Sequence, residues 1–422
     1  MRRWRIRYRQ LRRILADEDA RPGLIVLGLG GVVAVGTLVV FPREAPSTIV
    51  GLVLSATASF AGAYLSYAIV AKHLMSTERE RINTPEAVCE RYRGDVDLLE
   101  PSTVRTVADA SVPERLPVSA VIEADGGDSV AGDDPGPAPD GIDLDVEVDD
   151  GVYEFPASVR GYFGPYLDDL RERFETEGKF NTRKARPCRI ADGTVHIEET
   201  TYFRTFCTNF APDLTPPNGG PTLREEFRHE FLDDDGLATL ADSPFSNHLG
   251  GGGLLITADG FALLGLRTAD VTVGERTVGA SFSGNFEFRN LRAGAAPADE
   301  LLREATEEVE SFDASDARAV VQLALVRRVD WLGKPDLHAF VFADELETHA
   351  RTPEEYYDGL SVDLGIDRIE AVEELFDPTT ASDCVRRILA ASDRSAFDPG
   401  VNLLSMLELW LRTADADRPS DV

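Results

Sequence analysis

The chain opens with two long apolar stretches and then changes period. Residues 23–41 and 46–71 hold no charged side chain. A helix that crosses a membrane needs about 20 apolar residues, so the pattern predicts two spans. Only Pro42, Arg43, Glu44 and Ala45 separate them, which makes a tight transmembrane hairpin. Arg2, Arg3, Arg5, Arg7, Arg9, Arg12 and Arg13 precede the first span, and Lys72, Arg79 and Arg81 follow the second. The loop between them has Arg43 alone. Basic residues stay on the cytoplasmic side, so both termini and the rest of the chain are expected at the inner face of the cell membrane. Gly51, Ser55, Ser59 and Ala63 repeat every four residues in the second span. Such a stripe lets another helix approach closely, either the first span or a second copy in a homodimer.

Beyond the spans, residues 72–140 read as a charged juxtamembrane segment and an acidic linker. Residues 132–140 are rich in Asp, Pro and Gly, cannot build a core, and are expected to form a disordered tether. Ile142, Leu144, Val146 and Val148 then alternate with acidic residues, as in a strand. Tyr166, Leu167, Leu170 and Phe174 share one face of a helix over 166–177. A strand pair is expected around Asp192-Gly193. Two apolar runs flank Asp259-Gly260, a strong hairpin signal. A strand over 278–283, a helix over 298–310, strands over 319–326 and 337–342, and a helix over 402–412 complete the pattern. Strands and helices in this order predict an α/β (α+β) sandwich with a mixed sheet. The expected divisions are a basic N-terminus (1–22), the hairpin (23–71), juxtamembrane segment and linker (72–140), the first part of a soluble domain (141–248), its core (249–413) and a tail (414–422).

Charge narrows the partners. Of 422 residues, 74 are acidic and 43 basic, a net charge of -31, and the only lysines are Lys72, Lys179, Lys184 and Lys334. An acidic, Lys-poor surface suits high salt, as in a halophile, where screening is strong. It argues against nucleic acid, which is bound by basic patches. Cys89, Cys188, Cys207 and Cys384 form no C-x-x-C pair and sit beside no His, so free thiols are expected. No P-loop or dinucleotide fingerprint is present: Gly250 to Gly253 precede a strand rather than a helix. His248 reads as a loop residue, His338 as a satisfied core histidine, and Tyr202, Thr208 and Asn209 as a structural corner.

The chemistry concentrates in Arg303-Glu304-Ala305-Thr306-Glu307-Glu308. Carboxylates at i, i+3 and i+4 project from one side of a helix. Hard oxygen ligands of this kind suit Mg²⁺ or Mn²⁺, and a cation there would clamp a diphosphate and activate water. Glu304, Glu307 and Glu308 are the candidate catalytic and metal-binding residues, and Glu287 a further ligand from the preceding loop. Arg303 is expected to pair with a neighbouring Glu.

The segment resembles the core of the Nudix box, R-E-x-x-E-E. Leu249-Gly250, the Asp259-Gly260 hairpin and residues 282–287 fall where Nudix domains place two strands and the strand-to-helix loop. Phe180-Asn181, Tyr202 with Thr208-Asn209, and Lys334-Pro335 extend the resemblance to a plant and animal subfamily, some members of which cleave UDP-sugars. It covers about residues 152–412. The resemblance implies a membrane-anchored, metal-dependent pyrophosphohydrolase acting on a nucleoside diphosphate linked to another group, such as a nucleotide-sugar. The chain departs from the box at Asn285, where a second Gly is usual, at Ala295, where a Glu is usual, and at Glu310, where a Gly is usual. These departures leave two alternatives: a catalytically degenerate nucleotide sensor or two-helix membrane effector of a prokaryotic defence system, and a non-enzymatic membrane scaffold.

Overall fold

The computed structural model describes most of the chain from Thr84 to Ala416. Residues 1–83, 108–111, 124–140, 143, 177–180, 192–193, 216–219, 234–235, 267–276, 311, 345, 347–357, 396–397 and 417–422 lie outside the described residues. Every element below belongs to the compact unit that begins at Pro85.

The fold class expected at the N-terminus is corrected. No helix among the described residues is long and apolar enough to cross a membrane. The longest of them spans Pro378–Ser395 and carries Asp383, Arg386, Arg387 and Asp393. The stretches 23–41 and 46–71, with their small-residue stripe, lie outside the described residues, as does the expected tether at 132–140. What the structure defines is a mixed sheet with helices. The multi-pass placement at the membrane, with both termini cytoplasmic, therefore has no support in it.

The elements, in chain order, are α1 (Pro85–Arg91), α2 (Ser102–Val107), β1 (Val118–Glu123), β2 (Asp145–Val152), α3 (Ala157–Phe163), α4 (Tyr166–Thr176), β3 (Arg183–Ala191), β4 (Thr194–Thr201) and α5 (Tyr202–Cys207). They continue with α6 (Leu223–Glu226), α7 (Arg228–Phe231), β5 (Leu232–Asp233), β6 (Gly236–Leu237), β7 (Gly250–Thr257), β8 (Phe261–Leu266), β9 (Thr277–Gly279) and β10 (Phe282–Asn285). The last are α8 (Phe288–Arg292), α9 (Pro297–Glu308), β11 (Ala317–Arg328), β12 (Lys334–Ala343), β13 (Asp358–Asp363), α10 (Pro378–Ser395), β14 (Asp398–Pro399) and α11 (Val401–Ala416).

The main sheet runs β1-β11-β12-β7-β8-β9-β14, with β10 also paired to β7 and β13 to β8. β12 and β7 are parallel; β7 and β8 form the expected antiparallel hairpin. Gly260 turns it at φ +78, where its missing Cβ also clears the carbonyl of Ile366. Side chains alternate across the sheet, as the period of a strand requires. Leu254, Ile256, Phe340 and Phe342 join a core with residues of α10 and α11, and Leu255, Leu337, Ala339 and Val341 join another with residues of α8 and α9. Helices cover both faces. A second sheet, β2-β4-β3, is tied to the first where Ala185 exchanges backbone hydrogen bonds with Leu249 and Phe286. Residues 85–123, expected as a juxtamembrane segment and linker, include β1, an edge strand of the main sheet antiparallel to β11.

Candidate functional site

Helix α9 begins at Pro297, a residue whose fixed φ suits the first helical position, and the Asp299 carboxylate accepts the Ala296 N–H at 2.8 Å. Leu301 and Ala305 are fully buried against the sheet, and Glu300, Glu304 and Glu308 are buried beside them. Three carboxylates four residues apart form a stripe down one side of the helix. An extended segment lies along it. The Ser283 N–H donates to Glu308 Oε2 (2.8 Å), the Asn285 N–H to Glu304 Oε1 (3.2 Å) and the Glu287 N–H to Glu300 Oε2 (2.8 Å). The match is geometric. Four helical residues rise about 6.0 Å, and two extended residues advance about 6.6 Å, so successive carboxylates meet alternate N–H groups. Gly284 allows the approach: a Cβ there would overlap the Glu304 carboxylate.

Arg303 binds the stripe from the solvent side. Its guanidinium reaches Glu300 (3.1 Å), Glu304 and Glu307 (2.9 Å), so the expected pairing with one Glu is a pairing with three. Burial raises the Glu304 carboxyl above its ordinary value, against the pull of Arg303. Glu300 also accepts from Asn290 Nδ2 at 2.6 Å. Its part was missed in the sequence, although the i, i+4 repeat through Glu304 and Glu308 is visible there.

The four expected ligands differ in burial and in partners. Glu304 and Glu308 lie on the buried stripe. Glu307 is exposed on the surface. Glu287 is the N-cap of α8 and pairs with Lys184 Nζ at 2.6 Å, while the same ammonium donates to the Asn285 carbonyl at 3.2 Å. Among the described residues, three ligand atoms within 4.8 Å of one another occur instead at Glu147, Asp149 and His196.

Next to this loop lies a buried polar group at the start of β7. Lys334 is buried and paired with Asp336, and both press against Gly250, where a Cβ would meet them. His248 is fully buried, stacked on Tyr202 at 6.0 Å and set edge-on to Phe210 at 5.6 Å. It lies in a loop, as its position suggested, and that loop is buried. Burial, then the charges of Lys334 and Lys184, hold its pKa well below 6.5. Asn285 faces the ring, yet neither ring nitrogen has a partner in hydrogen-bonding geometry among the described residues. His338 is half satisfied: Nε2 meets Ser405 Oγ at 2.8 Å and Nδ1 has no such partner. Asn209 forms the corner expected of it, with Nδ2 donating to Asn247 Oδ1 (2.7 Å) and the Trp331 carbonyl (2.8 Å), and Oδ1 accepting the Asn247 N–H (2.8 Å).

No family model matches the chain, and no curated protein matches it. Among solved structures it is similar to the crystal structure of DR0079 from Deinococcus radiodurans, at 13% identity, over 39% of this chain and 82% of that one, with a TM-score of 0.26. A likeness of that size defines neither fold nor function.

Proposed function

We propose that the chain is a Nudix-like pyrophosphohydrolase, dependent on Mg²⁺ or Mn²⁺, whose substrate is a nucleoside diphosphate linked to another group. The observation that carries this reading is the buried pair Glu304 and Glu308, one turn apart on α9 and seated against Ser283-Gly284-Asn285. Their donor chemistry fits: carboxylate oxygens are the ligands that Mg²⁺ and Mn²⁺ prefer. Glu304 and Glu308 would hold the cation. A bound cation of this kind polarises phosphorus and lowers the pKa of its water. Arg303 orients the Glu304 carboxylate by pairing with it. Lys184, beside Asn285, puts positive charge at the end of the loop where a diphosphate would lie.

A second reading has its own observation. Backbone N–H groups and Arg303 already engage both carboxylates of the pair or their neighbours. A protein that binds the nucleotide without cutting it would keep the stripe for this structural reason. The full chain, assayed against nucleoside diphosphate derivatives with Mg²⁺ or Mn²⁺, separates the two. Under the first reading Glu304→Gln and Glu308→Gln each remove most turnover, and Glu307→Gln, at an exposed position, leaves it nearly intact. Nucleotide binding without product favours the second reading. Turnover that survives both buried substitutions overturns the first.

A further inference from the structure

A different set of ligand-forming side chains converges on the three-stranded sheet, away from the Glu stripe. β2 and β4 run parallel with Glu147 opposite His196, and β3 and β4 run antiparallel with Arg189 opposite His196. Both ladders break their register beside this point. The pairing of β2 slips between Val148 and Val152, and Cys188 is the extra residue between Pro187 and Arg189. Bulges re-aim side chains that a regular strand would send elsewhere. Here they bring the Cys188 Sγ to 3.6 Å from Asp149 Oδ2 and 3.3 Å from the His196 carbonyl. His196 Nδ1 lies 3.7 Å from Glu147 Oε2 and 3.7 Å from Asp149 Oδ1.

The state of His196 follows from Arg189. Its Nη2 is 2.9 Å from His196 Nδ1. A guanidinium has donors only, so Nδ1 is the acceptor and its lone pair faces the guanidinium, with the two carboxylates 3.7 Å from the same nitrogen. That is the form of imidazole that binds metals. His196 is 8% exposed, so its ring is held by the fold, whereas Arg189 is exposed and can be displaced. The guanidinium therefore stands where a metal cation would.

We propose that Glu147, Asp149, His196 and Cys188 form a Zn²⁺ site, with Arg189 as the cation that occupies it in the metal-free protein. The spacing suits the ion. Bonds of about 2.0–2.2 Å to N and O place tetrahedral ligands about 3.4 Å apart, a few tenths of an ångström less than the two His196–carboxylate distances of 3.7 Å. Glu147 and Asp149 are the more exposed members and can close that gap. Cys188 Sγ touches Asp149 but stands outside the three mutually close ligand atoms, and must turn toward them. The donor set of imidazole, thiolate and carboxylate selects Zn²⁺ over Mg²⁺ or Ca²⁺. On binding, the thiol proton of Cys188 passes to solvent and its sulfur becomes the fourth ligand. No chemistry is required of the ion. Its effect is to fasten β2, in which no residue is fully buried, to β4.

The test uses the full chain stripped with a chelator. Calorimetric titration with ZnCl₂ should give one tight site per chain that Glu304→Gln and Glu308→Gln leave unchanged. His196→Ala should weaken it by at least about tenfold, the usual scale even for outer-shell losses at metal sites. Arg189→Ala should bind as tightly or more tightly, because a competing cation is gone. With Co²⁺ as the probe, a thiolate-to-cobalt absorption band should appear and vanish in Cys188→Ser. Circular dichroism checks that each variant is folded; if His196→Ala is not, Asp149→Asn takes its place. Equal Zn²⁺ binding in the parent and the ligand variant, weaker binding in Arg189→Ala, or a parent without the cobalt band overturns the proposal.

Discussion

Replacing Gly284 by Ala puts the Glu stripe under direct strain. Gly284 has no positive φ, so the methyl group brings no penalty in backbone conformation. The whole effect falls on Glu304, whose carboxylate atoms are the three nearest to a Cβ at that position. Ordinary contact between heavy atoms is about 3.5 Å, so the carboxylate must retreat by more than ~1 Å. It is 7% exposed and accepts the Asn285 N–H at 3.2 Å, a bond that this retreat breaks. A hydrogen bond to a charged group contributes about 1.5–3 kcal/mol, and overpacking costs about 1–3 kcal/mol. Arg303 keeps Glu300 and Glu307, so its share is small. Urea unfolding should therefore show a loss of about 2.5–6 kcal/mol by these scales. The decisive measurement is the same substitution in a Glu304→Ala background. The atoms that the methyl meets are then absent, and the loss should shrink by about 0.5–3 kcal/mol, the range for residues in contact. Equal losses in the two backgrounds would refute the seating of Glu304 against β10.

Two further outcomes follow from the fold. Gly260→Ala needs a left-handed residue and drives its Cβ into the Ile366 carbonyl, backbone that cannot swing aside, so thermal or urea unfolding should show a loss of at least about 2 kcal/mol; a near-native midpoint would contradict the turn. Burial, then the charges of Arg328 and Lys334, hold His338 down to about 3, against 6.5 when exposed. The unfolded chain binds the extra proton between those values, so this residue's contribution is present above about pH 6.5 and is lost as pH falls toward 3, by at most about 1.4 kcal/mol per pH unit. His338→Gln should flatten that limb in unfolding measured from about pH 6.5 to 4.5, and an unchanged slope would count against the buried neutral ring.

Local patterns carried much of the described fold. Asp259-Gly260 between two apolar runs marked the hairpin because the turn needs positive φ, a local demand. The expected helices over 298–310 and 402–412 appear as α9 and α11, since both bury one face. α10 is carried by Ala381, Cys384, Val385, Ile388 and Leu389, but small residues make that stripe faint. The apolar run at 278–283 is divided between β9 and β10, because the chain pairs with β8 and then with β7, and pairing partners are not a local property. The same limit governs the site. Periodicity puts Glu300, Glu304 and Glu308 on one side of a helix, but only tertiary packing brings residues 283–287 alongside. His248 is the loop residue expected, but only tertiary packing shows Tyr202 and Phe210 set against it. Cys188 and His196 are eight positions apart, and strand register alone makes them neighbours. The membrane expectation rested on apolar length at 23–71, a region to which none of the described elements belongs.

The edge strand β1 changes where this chain can be divided. Val118 to Glu123 pair with β11 from Arg328 to Ala324. Just upstream, the N–H groups of Thr103 and Val104 at the start of α2 are received by the buried carboxylate of Glu408 on α11. Leu116 and Val118 are fully buried in the same core. The stretch from α1 to β1 is thus an integral part of the sheet and its core. Severing the chain between β1 and β2 would leave one strand of the nine-stranded sheet on one piece and the other eight on the second. A fragment that starts at Gly141 loses that partner. Its β11 becomes an open edge beside uncovered apolar surface, the arrangement that invites strand-to-strand aggregation. The stretch from α1 to β1 thus covers a sheet edge that would otherwise be open.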